Sequence, residues 1–223
     1  MHPEILFEDN HVMVINKPAG MLAQGDTTGD TSVLDSLKAY IKIREKKPGA
    51  VFLGLVHRLD RPTSGIMVLA KTSKALTRLN KQFAQKTTKK VYWAMVSGTP
   101  ANSPTRLAHY LIRKPKQNKS FAHKKEVPNS KHAELIYIKK QTLDRYSLLE
   151  IELLTGRHHQ IRAQLSAVDL IIKGDLKYGA SRPNKNGTIH LHARKLTFSH
   201  PTLKETLTFT APTPNDRLWN VIG

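Results

Sequence analysis

The sequence predicts an α+β fold built on a mixed, mostly antiparallel central sheet flanked by helices and loops. Three observations lead there: strand-like segments outnumber helical ones, the two kinds rarely alternate one for one, and 223 residues at 39% hydrophobic content supply a substantial core. No internal repeat or sharp change of composition divides the chain, so a single domain of two packed halves, residues 1–223, is expected.

Each element follows from periodicity and punctuation. Residues 11–16 alternate about Val12 and Val14 and read as a strand, which Lys17-Pro18-Ala19-Gly20 breaks. The period then changes. Val33, Leu34, Leu37 and Ile41 fall at helical spacing behind the capping residues Thr31 and Ser32, so a helix of about 12 to 15 residues should end before Pro48-Gly49. Residues 66–70, bounded by Gly65 and Lys71, form a short apolar run suited to a strand buried on both faces. A second helix is expected behind Thr72 or Ser73, with Leu76, Leu79 and Phe83 on one face and Lys74, Arg78 and Lys81 elsewhere. Further strands are expected at 91–96, 133–138, 146–154, 189–198 and 207–210, with short helices after Gly156 and around 216–221. Residues 113–131 carry seven Lys or Arg and one acid, with Pro115 and Pro128 inside, and should form a mobile basic hairpin tip or insertion outside the core.

Charge is the outlier. Thirty-six Lys and Arg against 17 Asp and Glu leave a net charge of +19, beyond the magnitude of roughly 2 to 8 that keeps a small domain soluble. Such an excess points to a polyanionic partner, most simply nucleic acid, with an anionic membrane surface second. No apolar run approaches the roughly 20 residues that a bilayer demands, and Met1-His2-Pro3-Glu4 lacks a signal peptide's layout. A cytoplasmic protein with no membrane partner is therefore expected. The absence of cysteine removes thiol nucleophiles, disulfide scaffolds and cysteine-ligated zinc.

The densest chemical signal is the stretch from Gly54 to Gly65, where one acid and two arginines precede a buried strand. On residue types alone, His57, Arg58, Asp60 and Thr63 serve equally well as a structural turn with a local ion pair. The particular string carries more. HRLDRPTSGIMVLAKT resembles the central motif of the RluA-type RNA pseudouridine synthases, HRLD-x-x-TSG, at all seven of its fixed positions. DNHVMVINKPAGM (9–21), KKVYWAMVSG (89–98), LLTGRHHQIRAQL (153–165), GDLKYGA (174–180) and LHARKLTFSHP (191–201) resemble the family's other segments in the family's order, so the likeness spans nearly the whole chain.

This resemblance implies the pseudouridine synthase fold, with an active-site cleft across the middle, in a short form lacking the separate N-terminal RNA-binding domain of many relatives. It implies an isomerase that detaches uracil from ribose at nitrogen 1, rotates it and reattaches it through carbon 5, with no cofactor and no metal. Asp60 is then the essential carboxylate, whether it attacks ribose carbon 1′, adds to the uracil ring or removes a ribose proton. Each route needs an ionised acid, the ordinary state of an aspartate at pH 7. Arg162 matches the arginine that pairs with this aspartate and opposes its desolvation. Tyr92 matches the tyrosine that lies against the base, where stacking is worth about 1–3 kcal/mol. Leu196 corresponds to the apolar wall of the uracil pocket, and Arg58 to an arginine that fills the space of a flipped nucleotide or clamps a phosphate. His57 and Thr63, flanking Asp60, complete the substrate-binding candidates. The sequence departs from the family at Gln164, Asp169 and Ile171, where relatives usually carry His, Gly and Pro, which puts the local turn geometry in question. The implied partner is a ribosomal or transfer RNA stem-loop, and a monomer is the simplest arrangement because one chain holds every part of the site.

Two other classes compete. A non-catalytic basic RNA-binding or ribosome-associated protein explains the charge and leaves the acid inside HRLDRPTSG without a role. A metal-dependent hydrolase is suggested by His57, His158, His159 and the pair His190 and His192, which share one strand face, yet no carboxylates stand at ligand spacing. No metal site is expected.

Overall fold

Alternation and turn residues make strands the commonest regular element of this chain. The computed structural model describes residues 2–222. Along the chain run β1 (Glu4–Glu8), β2 (Val12–Lys17), α1 (Val33–Arg44), β3 (Gly54–Leu55), β4 (Ser64–Ala70), α2 (Ser73–Ala84), β5 (Lys89–Ser97), β6 (Thr105–Lys114) and β7 (Lys119–His123). β8 (Lys131–Thr142), β9 (Ser147–Leu153), α3 (Gln160–Ser166), β10 (Ile171–Ile172), β11 (Leu191–Ser199) and β12 (Thr206–Thr210) follow. The class is α+β, and the pairings β1–β2, β2–β4, β3–β4, β5–β9, β5–β10, β8–β9, β6–β8, β6–β7 and β11–β12 are all antiparallel. The residues gather into two compact units, one from the N-terminal segment up to Thr88 together with Ala193–Asn220, the other from Lys89–His192.

In the first unit the strand order is β1-β2-β4-β11, with β3 on β4 and β12 on β11. Every residue of β4 is buried, as its uninterrupted apolar run predicts. α1 starts where Ser32 and Asp35 close a reciprocal capping box, and it buries Val33, Leu37 and Ile41. α2 starts where the Thr72 side chain accepts from Ala75 N–H, and it buries Ala75 and Leu79. Its apolar face joins a core that includes Val12, Val14, Ile66, Val68 and Phe198, each such burial being worth about 1.5–3 kcal/mol. Gly65 has a φ of +114°, and a Cβ there would lie 2.3 Å from the Ala193 carbonyl oxygen. Only glycine lets the two backbones approach so closely.

In the second unit the order is β5-β9-β8-β6-β7, with β10 on β5. Leu111, Ala133, Ala163 and Tyr178 form its core cluster. Two expectations are corrected here. The basic stretch 113–131 forms the hairpin tip that was one of its two expected forms, but it is not outside the core: β6 and β7 pair from Tyr110–His123 to Lys114–Lys119, and Ala122 packs on the core cluster. Ser120 and Ala122 face inward and the Lys119 ammonium lies 4.9 Å from the centre of the Tyr178 ring, while Lys114, Lys116, Lys124 and Lys125 are exposed, which a count of charges conceals. Residues 216–221 form a bend and turns rather than a helix: Asp216 Oδ1 accepts from Leu218 and Trp219 N–H as an N-cap does, and Asn220 N–H donates to the Asp216 carbonyl at 2.9 Å, which closes a single turn.

The three departures from the family pattern are absorbed locally. Gln164, fully buried, donates from Nε2 to the carbonyls of Leu107 and Ala133 and so ties α3 to β6 and β8. Asp169 adopts φ +57°, the left-handed conformation that glycine takes most readily and that Asp and Asn tolerate. Ile171 pairs with Ser97 in the short β10.

Candidate active site

Asp60 lies in the turn between β3 and β4, and that turn is fixed from two sides. The Asp60 carbonyl accepts from Thr63 N–H at 3.0 Å, while Gly20 N–H donates to the Arg61 carbonyl at 2.7 Å and Arg61 Nε donates back to the Gly20 carbonyl at 3.0 Å. Between them sits Lys17, completely buried, whose Nζ donates to the carbonyls of Met21 at 2.8 Å, Pro18 at 2.9 Å and Arg61 at 3.2 Å. Three acceptors match the three N–H bonds of an ammonium. Burial pushes the Lys17 amine down to about 7, and the negative charge of Asp60 pulls it back up. The segment read from sequence as a strand breaker is thus a bracket around the residue that follows Asp60. Sequence reasoning missed Lys17, although a signal existed: it continues the i, i+2 row of Met13 and Ile15, both buried, on β2.

The other candidates of the first unit differ in surroundings. His57 stacks on Phe83, ring centres 4.7 Å apart, and its Nε2 accepts from Val68 N–H at 3.1 Å. Its ring is therefore bound to β4 and α2. Arg58, the neighbouring residue, is exposed. Thr63 is 2% exposed, and its Oγ1 is buried without a hydrogen-bond partner among the described residues, a rarity that calls for a reason. Leu196 is equally buried and lies within the core cluster around Val14 and Val68.

The second unit holds Tyr92 and Arg162. Tyr92 is buried on β5 opposite Ile151 of β9. Arg162, on α3, makes a two-pronged ion pair with Asp175: Nε to Oδ2 at 2.7 Å and Nη2 to Oδ1 at 2.8 Å, with both side chains buried. The guanidinium also lies over the Tyr178 ring at 5.0 Å. The Tyr178 hydroxyl accepts from Ser120 N–H at 2.8 Å, which anchors the ring to β7. His159 Nδ1 is 3.1 Å from the same hydroxyl. Burial, reinforced by the charge of Arg162, drives His159 down to about 2, so its ring is neutral. The sequence supplied Arg162 and the segment GDLKYGA, and the structure shows that this segment contributes the carboxylate and the aromatic face that hold the arginine.

The TGR-x-HQIR segment is organised by Gln160. Its Oε1 accepts from Thr155 Oγ1 at 2.7 Å and Arg157 N–H at 2.9 Å, and its Nε2 donates to Gln164 Oε1 and the Glu134 carbonyl. These bonds seat α3, and with it Arg162, against β8. Among the described residues no three His, Asp or Glu side chains are grouped to hold a metal ion.

The fold that carries these residues, an α+β protein on an antiparallel sheet, is that of the pseudouridylate synthases. The human RNA Pseudouridylate Synthase Domain Containing 4 structure superposes with a TM-score of 0.79 at 26% identity, over 95% of this chain and 89% of that one. Human RNA Pseudouridylate Synthase Domain Containing 1, at 23% identity and a TM-score of 0.75, shares the fold. The RNA pseudouridylate synthase family model matches residues 11–167. The chain belongs to this family, and within it to the RluA type. Similar curated proteins include an uncharacterized RNA pseudouridine synthase of Mycoplasma genitalium, 35% identical over 94% of this chain, and ribosomal large subunit pseudouridine synthase C of Vibrio vulnificus, 33% identical over 93%. Ribosomal large subunit pseudouridine synthase D of Neisseria meningitidis is 35% identical over 96%. The chain spans 66%, 65% and 59% of the lengths of these three relatives.

Proposed function

We propose that the chain is an RNA pseudouridine synthase that converts uridine to pseudouridine in large-subunit ribosomal RNA. The observation that carries this reading is the bracketed turn: the one acid of HRLDRPTSG stands on a backbone held by Lys17, Gly20 and Thr63, inside the segment matched by the family model. The reaction breaks the bond from ribose carbon 1′ to nitrogen 1 and forms one to carbon 5. Carbon 5 loses its proton and nitrogen 1 gains one, so the change is redox-neutral and needs no co-reactant. Asp60 supplies the carboxylate, Arg162 the cation that favours its ionised form, and Tyr92 the face against which the base lies. Arg58, exposed beside the turn, fills the space of the flipped nucleotide or clamps a phosphate, and the unpartnered Thr63 hydroxyl is left for a substrate group or water. Ribosomal RNA is favoured over transfer RNA because relatives C and D carry the large ribosomal subunit in their names. The proposed site residues all lie on one chain, in keeping with a monomer, and a ribosomal RNA substrate is met in the cytoplasm.

Tritium release from RNA labelled at uridine carbon 5 tests this. Wild-type protein should release tritium from unmodified ribosomal RNA without added metal, and Asp60→Asn should bind the same RNA and release none. Release from transfer RNA alone would move the substrate. Binding without release by the wild type would instead identify a non-catalytic RNA-binding protein, and release by Asp60→Asn would remove that residue from the chemistry.

A further inference from the structure

The second unit contains a basic cavity that the proposed chemistry does not use. Its volume is about 400 Å³, and its lining includes Ser97, Arg145, Tyr146, Lys173, Gly174 and Arg182, three cations with no carboxylate in the lining. Ser97 stands five residues beyond Tyr92 on β5, about 17 Å away at the rise of an extended strand. The cavity is therefore separate from the place where Tyr92 would meet the target base.

Its walls are built rather than incidental. A bridge between Gly174 and Pro183 holds the Arg182 loop against the end of β10. Gly174 has φ +84°, and a Cβ there would come within 2.5 Å of the Asn184 side chain, so this contact requires glycine. Asn184 Oδ1 accepts from Lys173 Nζ at 2.6 Å, and Asn184 Nδ2 meets His190 Nδ1, itself buried, at 2.8 Å. This chain fixes the Lys173 ammonium before any ligand arrives, 6.0 Å from the centre of the Tyr146 ring. Arg145 and Arg182 are exposed, and neither has a hydrogen bond or ion pair among the described residues. Cations left without carboxylates around an aromatic ring are suited to an anion that carries a flat ring of its own.

We infer that this cavity is a second RNA-binding subsite, taking the phosphate of one single-stranded nucleotide on Lys173, Arg145 and Arg182 and its base on Tyr146. A free phosphate ion would leave most of the volume empty, and a lipid surface would have no use for an enclosed ring, whereas one nucleotide uses the cations and the ring together. Gly174 immediately precedes Asp175, the partner of Arg162, so a strand seated here lies against the backbone that supports the proposed catalytic arginine. The inference depends on the proposed function only for the identity of the polymer.

The test uses the full chain and a fluorescein-labelled single-stranded oligouridylate, with affinity measured from about 50 to about 200 mM salt. Replacing both exposed arginines, Arg145→Gln with Arg182→Gln, should flatten the slope of log affinity against log salt by about 0.7 to 1.4, one or two phosphate contacts on a single strand. Tyr146→Ala should weaken binding by about 5- to 150-fold with the slope kept, because stacking is insensitive to salt. An unchanged slope in the double variant overturns the subsite, as does loss of binding to phosphatidylserine vesicles while oligouridylate binding stays intact. The two readings fail separately. A wild type that releases no tritium while the slopes shift as expected defeats the proposed function and leaves the subsite standing; the reverse pattern defeats the subsite alone.

Discussion

Asp175→Asn is the substitution on which the structure speaks most strongly. Asp175 is 1% and Arg162 5% exposed, so the pair is screened by protein rather than water, and both carboxylate oxygens are used by the guanidinium at 2.7 and 2.8 Å. Asparagine keeps the shape and one acceptor. It removes the charge and turns an N–H group toward a donor, so the buried guanidinium loses the Asp175 charge that two of its N–H groups meet. Breaking such a pair from one side costs about 3–5 kcal/mol, and the retained acceptor puts the expected loss near the lower end, about 3 kcal/mol. That is a large share of the roughly 5–15 kcal/mol by which a domain is stable. Urea unfolding followed by tryptophan fluorescence reads it directly. The double variant Arg162→Met with Asp175→Leu removes both charges together, so its loss should fall short of the sum of the two single losses by at least about 2 kcal/mol. In conditions where Asp175→Asn is folded, kcat for isomerisation should drop while KM for RNA is held, since the arginine and not the RNA surface has moved. A loss below about 1 kcal/mol, or additivity in the double variant, would refute the claim that Asp175 holds Arg162.

Three further outcomes are expected. Lys17→Met strips the carbonyls of Pro18, Met21 and Arg61 of a shared donor; stability should fall by about 2–3 kcal/mol in chemical unfolding, and kcat more than KM, whereas a wild-type kcat would show that the turn holds without the bracket. Acid unfolding should depend on Glu8, which the Arg44 guanidinium, aided by Lys71, holds down at about 2 from an ordinary 4.5 against the opposing effect of burial. A depressed carboxylate gives stability that is complete above its unfolded value and lost as pH falls from about 4.5 to about 2; Glu8→Gln should therefore lose less melting temperature than wild type across that window, and parallel curves would contradict it. Asp169→Gly should leave stability equal or raise it by up to about 1 kcal/mol, because relief of the left-handed φ of +57° offsets the greater freedom of glycine in the unfolded chain; Asp169→Val, unable to adopt that conformation, should lower it, and a glycine variant less stable than wild type would show that the aspartate side chain matters.

The parts of the fold legible in the sequence are those whose causes are local. Ser32 and Thr72 cap their helices through bonds three residues away, and residues 64–70 are buried throughout because no polar residue interrupts the run after Ser64. The basic hairpin was legible, but its packing against the core was obscured, because lysines dominate its composition while Ser120 and Ala122, the residues that face inward, are small. A short helix was expected around 216–221, where the chain closes only a single turn behind Asp216.

For the site, the sequence by itself determined the acid, through the fixed residues around Asp60, and named Arg162 and Tyr92 by resemblance. It could not say what holds them. Lys17 reaches Arg61 across 44 residues of chain, and Arg162 meets Asp175 and Tyr178 after the chain has turned back on α3. A buried charge takes whichever partner packing brings within about 3 Å after water has been removed, because desolvation makes an unpaired ion too costly to keep. Residue identity fixes which charges exist, and the tertiary structure alone decides which of them must be answered and by whom.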